Sequence, residues 1–137
     1  MSALFNRFRE RLLSADIAWT GAEIGCIAWT GKYWFDETDR FVQDIEATGG
    51  AVISVAETNH TAVAGIGGYA ITDPMLFRAV PIGAPVSFLT LTFPNPNIEL
   101  SELICYIDRG EGLPFTPNGL DWIVQPDWLS KRGWFRP

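Results

Sequence analysis

One histidine, two cysteines and sixteen acids are the raw material from which this chain could build a reaction centre. A serine or cysteine nucleophile normally needs a general base beside it, and the single imidazole is His60, in a Thr58-Asn59-His60-Thr61 stretch that reads as a loop or strand edge. Cys26 and Cys105 stand far from it in sequence, and each alternates with apolar neighbours as small buried residues do. Zinc asks for three or four ligands from His, Cys and carboxylate, which one histidine and two scattered cysteines do not supply. Gly65-Ile66-Gly67-Gly68 has the glycines of a phosphate loop without the Lys-Ser/Thr ending. It reads instead as a bulge or a close backbone approach in a strand.

The carboxylates are the remaining source of chemistry. Asp36, Glu37 and Asp39 form the densest group, with Asp108 and Glu111 next. Neither has the alternating Asp/Asn spacing of a calcium loop, and neither presents the two set-apart acids of a glycosidase. The first group reads as the cap of a helix and the second as turn chemistry. The expectation is a protein with no catalytic residue, no metal and no cofactor: not an enzyme, but one that works through its surface.

Composition narrows the partners. Hydrophobic residues make up 47% of the 137 residues and charged residues 19%, which places the chain among folding domains rather than disordered ones. A single domain over residues 1–137 is expected. The net charge of -6 repels phosphate backbones and anionic head groups, so no nucleic acid and no membrane are expected as partners. Arg7, Arg9 and Arg11 make a short cationic strip, interrupted by Glu10. Two isolated cysteines suit a cytosolic origin, and the Arg-studded N-terminus lacks the apolar run and small-residue cleavage site of a secretory signal. No apolar run approaches the roughly 20 residues that cross a bilayer.

Any surface must be held by elements, and these can be read in order. Leu4, Phe5, Phe8, Leu12 and Leu13 recur at helical spacing, which predicts a helix over residues 2–14. Its apolar stripe docks by default on the domain's own core, and a neighbouring subunit is the other destination. Ile-Ala-Trp-Thr-Gly occurs at residues 17–21 and again at 27–31, and two such extended segments meeting near Gly21 would form a hairpin. A second helix follows the acids at 36–39 and ends before Gly49-Gly50. From residue 47 to 98 only Glu57, Asp73 and Arg78 carry charge, and β-branched, aromatic and glycine residues dominate.

Strands are predicted at 51–56, 66–72, 75–80, 86–93, 103–108 and 120–125, with Pro81-Ile82-Gly83-Ala84-Pro85 as a connecting turn. Residues 86–93 are apolar on both faces, which predicts a central strand covered on both sides. The fold class is mainly β: an antiparallel β-sandwich of about seven or eight strands with a short N-terminal helix and one further short helix. An aromatic tail over 126–137 carries Trp128, Trp134 and Phe135. Tail aromatics either close one end of the sandwich or pack on another chain, so these three join Leu4, Phe5, Phe8 and Leu12 as candidate interface residues. Trp29, Trp34 or Trp128 would be the stacking platform if the protein were instead a carbohydrate-binding module.

Leu103-Ile104-Cys105-Tyr106-Ile107-Asp108-Arg109-Gly110-Glu111-Gly112-Leu113-Pro114-Phe115-Thr116-Pro117-Asn118-Gly119 resembles a segment of a family of small tailed-bacteriophage virion proteins. That segment has a strand ending in Tyr-Ile-Asp, a Gly-x-Gly-Leu-Pro turn and a Thr-Pro-Asn-Gly turn before a final strand pair. Residues 24–45 look like the family's first strand and short acidic helix, and residues 75–91 like its central hairpin. Physically, Pro114 and Pro117 fix φ, while Gly110, Gly112 and Asn118-Gly119 supply positive φ for tight reversals. Asp108, Gly110, Gly112, Leu113, Pro114, Thr116, Pro117, Asn118 and Gly119 are thus read as a structural turn motif. The resemblance implies a non-enzymatic structural protein located in the virion and assembled in the host cytoplasm. A capsid decoration or cement role, binding the major capsid protein and itself as a homo-oligomer, comes first, and a neck, tail or baseplate role second. The tail beginning at Pro126-Asp127-Trp128 departs from the small polar tail usual in the family.

Overall fold

In a computed structural model the described residues are 2–57, 60–65, 69–72, 74–108, 113–124 and 134. Their strands and helices, in chain order, begin with β1 (Ser2–Leu4), α1 (Asn6–Leu13), β2 (Glu23–Gly31) and α2 (Val42–Ala47). Then come β3 (Gly50–Val55), β4 (His60–Thr61), β5 (Val63–Gly65), β6 (Tyr69–Ile71) and β7 (Met75–Phe77). The chain continues through β8 (Phe88–Phe93), a 3-10 turn (Ile98–Leu100), β9 (Glu102–Ile107) and β10 (Trp122–Val124). The fold is mainly β and sandwich-like. Ten strands are present among the described residues where seven or eight are expected, because six are only two or three residues long.

The main sheet runs β1-β9-β8-β2-β3, all antiparallel, with β4 added to the start of β2. β8 lies at its middle, and Phe88, Leu89, Thr90, Leu91 and Thr92 are all buried, as apolarity on both faces predicts. One face carries Ile24, Cys26, Ala28, Leu89, Leu91, Cys105 and Ile107, and the short ladders β5–β6 and β7–β10 with α1 cover it. The other face carries Ile27, Trp29, Phe88, Leu103 and Tyr106 under Val42 and Ile45 of α2, with Tyr33 and Phe35. Each buried Ile, Leu, Val or Phe among them contributes about 1.5–3 kcal/mol relative to an exposed one, so this double core dominates stability. In β9 Leu103 and Tyr106 share a face although three residues apart. Thr92 pairs with Leu103 and Leu91 with Cys105, so Ile104 is an extra residue that resets the alternation.

Four expectations are corrected. Residues 2–4 are not helical: they form edge strand β1 against β9, and α1 starts only at Asn6. Three residues are too few for periodicity to separate helix from strand, and the open edge of β9 decides. Residues 17–21 form no hairpin with β2, whose start pairs instead with β4. The acids at 36–39 do not cap α2. Asp44, inside its first turn, reaches back to accept the backbone N–H groups of Phe41 (3.0 Å) and Arg40 (2.9 Å). Lastly, residues 75–91 are no hairpin: β7 pairs with β10, and β8 with β2 and β9.

Candidate interaction surface

Cys26 and Cys105 are free and fully buried. Burial pushes the Cys105 thiol up to about 12, and burial together with the neighbouring Cys105 raises that of Cys26 further. The backbone of His60 pairs with Ile24, and its side chain lies outside the described residues. The 36–39 acids build a turn. Asp36 accepts the N–H and hydroxyl of Thr38 at 2.9 and 2.7 Å, which holds its carboxyl below the usual range. Asp39 accepts the Tyr33 hydroxyl at 2.6 Å, and partial burial outweighs that bond to raise its carboxyl. Among the described residues no three His, Cys, Asp or Glu side chains gather as metal ligands.

The arginine strip is neutralised where it stands. Arg7 meets Glu10 (3.7 Å) and Glu102 (3.8 Å), Arg9 meets Glu37 (3.5 Å), and Arg11 pairs with Glu102 and lies 5.6 Å over the Phe93 ring. The same Glu102 lines a shallow groove of about 420 Å3 with Phe41, Phe93, Pro94, Asn95 and Leu100.

The expected interface side chains of the N-terminus turn inward. Leu4, Phe5 and Phe8 are buried in the chain's own core and Leu12 packs partly against it, leaving only Leu13 outside. Trp134 is also internal: its indole N–H donates to Thr72 at 2.8 Å and its backbone N–H to Ala70 at 2.7 Å. Trp128 and Phe135 lie outside the described residues. Trp29 is no sugar platform, since it is buried in a stack on Phe88 with its N–H on Thr90. Trp34, by contrast, is 89% exposed.

Seven of the nine residues of the turn motif are described. Gly110 and Gly112 fall outside the described residues, while Asp108 sits beside Tyr106 just past β9. From Leu113 onward the chain is laced to residues 75–86. Phe115 and Val86 exchange two backbone bonds, Gly119 donates to Val80, Val80 donates to Leu120, and β10 pairs with β7. Gly119 reverses the chain at φ +83°, whereas Asn118 accepts the Leu120 N–H on its side chain instead of supplying positive φ itself. Pro117 is buried, Leu113 is half-buried, and Pro114 and Thr116 face solvent. Trp122 stacks between Phe115 (4.3 Å) and Phe77 (5.3 Å), which stiffens the arm from inside.

On its outside this arm carries large apolar side chains: Ile82 is 78% exposed, Leu120 66% and Ile123 64%. Ile82 lies against Gly119, so the two turns form one knob. Between them Ala79 is held at φ +45°, a conformation an L-residue rarely adopts, with its N–H bonded to Asp121 at 2.7 Å. Sequence reasoning passed over Ile82, Leu120 and Ile123. The available signal was an isoleucine between proline and glycine and a leucine directly after a turn glycine, apolar residues where turns are normally polar. No protein-family model, no curated protein and no solved structure matches this chain.

Proposed function

We propose that this chain is a non-enzymatic structural protein of a tailed-bacteriophage virion, a decoration or cement protein that binds the major capsid protein and itself. The observation that carries the reading is the laced arm. A braced pair of turns displays Ile82, Leu120 and Ile123 to solvent, and one of the two turns, Thr116-Pro117-Asn118-Gly119, ends the segment whose residues resemble the virion family. Exposed aliphatic side chains on a stiff scaffold suit a contact with another protein, because little entropy is lost when they dock. A neck, tail or baseplate position uses the same surface on a different partner.

Carbohydrate binding is the second reading, and exposed Trp34 favours it. Co-sedimentation with particles separates the two. The wild type is expected in the particle fraction, and Ile82→Glu/Leu120→Glu is expected to lose at least roughly tenfold in shell affinity while remaining folded. Absence from particles, together with quenching of tryptophan fluorescence by glycans that Trp34→Ala removes, would replace the first reading by the second.

A further inference from the structure

Asparagine occurs at positions 6, 59, 95, 97 and 118, and Asn118 alone is followed by glycine. An Asn-Gly pair carries a reaction of its own. Base removes the proton of the glycine N–H, and the bared nitrogen attacks Cγ of the asparagine side chain, whose nitrogen takes up a proton and leaves as ammonia. Water then opens the five-membered imide at either carbonyl. The product is aspartate or, with the main chain lengthened by the side-chain methylene, isoaspartate. Water is the only co-reactant. A β-carbon on the following residue crowds the attacking nitrogen, and the proline after Asn95 has no N–H to lose.

The fold puts this pair where water reaches it and ties down the attacking atom. Asn118 and Gly119 are both exposed. The Gly119 N–H donates to the Val80 carbonyl at 3.0 Å, and the Val80 N–H donates to the Leu120 carbonyl at 3.1 Å. A hydrogen-bonded amide must be released before base can take its proton, the condition that also governs hydrogen exchange. The Leu120 N–H on Oδ1 of Asn118, at 3.1 Å, acts the other way, because it polarises the carbonyl that is to be attacked. The electrophile is thus set and the nucleophile latched. Val80 is itself fixed: it is buried, and it follows Ala79, whose backbone at φ +45° is held by the bond to Asp121.

We propose that Asn118 is a self-modification site gated by the Val80 carbonyl, silent while the arm is laced and converted to aspartate or isoaspartate when the arm opens. Conversion adds a negative charge next to Gly119, against which Ile82 packs, and isoaspartate lengthens the main chain at the reversal, so a converted arm loses the geometry of its knob. The gate concerns the arm and not its partner, so absence of the protein from particles would leave it standing.

Peptide mapping by mass spectrometry, on the full chain held at mildly alkaline pH with and without denaturant, measures conversion, and NMR measures exchange of the Gly119 amide. Conversion is expected to be at least roughly tenfold slower in the folded chain than in the unfolded one, with Gly119 exchange slowed alongside it. Asp121→Ala, at an exposed position, releases the Ala79 N–H and is expected to raise both rates at least roughly threefold while tryptophan emission stays that of the folded chain. Equal conversion in folded and unfolded chains, or slow conversion beside a Gly119 amide that exchanges freely, would overturn the gate. So would an Asp121→Ala chain in which one rate rises without the other. The wild-type comparison uses no variant and decides even if Asp121→Ala fails to fold.

Discussion

The two Ile-Ala-Trp-Thr-Gly copies have the same five side chains and different structures. Residues 27–31 finish β2, hydrogen-bonded to β8 on one side and β3 on the other, with Trp29 fully buried on Phe88. Residues 17–21 are an irregular connection after α1, with Trp19 half-buried edge-on to Phe8 at 6.0 Å. Two features survive the change of setting: each tryptophan finds an aromatic partner, and each glycine has positive φ, +89° at Gly21 and +111° at Gly31. Chain reversal at glycine is a local property that travels with the motif, whereas being a strand is conferred by neighbours.

The sharpest way to break this comparison is at Trp29. Its ring is buried against Phe88 and its N–H is the partner of the buried Thr90 hydroxyl, so Trp29→Ala opens a cavity and removes a buried hydrogen bond at once. A loss of about 3–5 kcal/mol is expected in equilibrium denaturation, enough to unfold a domain of ordinary stability. A loss under about 1 kcal/mol would mean that the second copy is no more embedded in the core than the first.

Gly31 comes next. A β-carbon there would stand 2.2 Å from the Gly49 carbonyl oxygen, and that oxygen belongs to backbone at the entry to β3. Gly31→Ala therefore combines about 1–2 kcal/mol for the positive φ with about 1–3 kcal/mol for the forced shift of packed backbone. Asn, which tolerates positive φ, is expected to give no relief here, because the clash is with its β-carbon. Recovery of stability in Gly31→Asn would show that conformation and not contact decides this position.

What the sequence made readable follows the same division between local and long-range causes. The uncharged β-branched run at 51–56, the two-sided apolar pattern of β8 and the stop of α2 before Gly49-Gly50 are local signals, and the structure bears out each. Pairings were harder. That residues 2–4 join β9, that β7 joins β10 rather than β8, and that the first motif copy stays outside the sheet depend on which edges the remaining chain leaves open. Site residues divide similarly. Gly119 as the reversal could be read from Thr-Pro-Asn-Gly, but nothing local distinguishes Trp29, at 0% exposure, from Trp34, at 89%. The inward turn of Leu4, Phe5 and Phe8 likewise depends on a sheet assembled from distant segments.

Gly21 is the smallest test and the most discriminating, because its surroundings remove every cause but one. Its φ is +89°, and a β-carbon would meet no atom within 4 Å. Its N–H donates to the Ala62 carbonyl at 2.9 Å, a bond that any L-residue other than proline retains. Gly21→Ala is therefore expected to cost only about 1 kcal/mol, the price of left-handed backbone alone, and Gly21→Asn less than Gly21→Ala. The denaturation midpoint measures both. Equal losses for Gly21→Ala and Gly31→Ala would show that the contact with Gly49 contributes nothing, and the two copies would then differ in their tryptophans but not in their glycines.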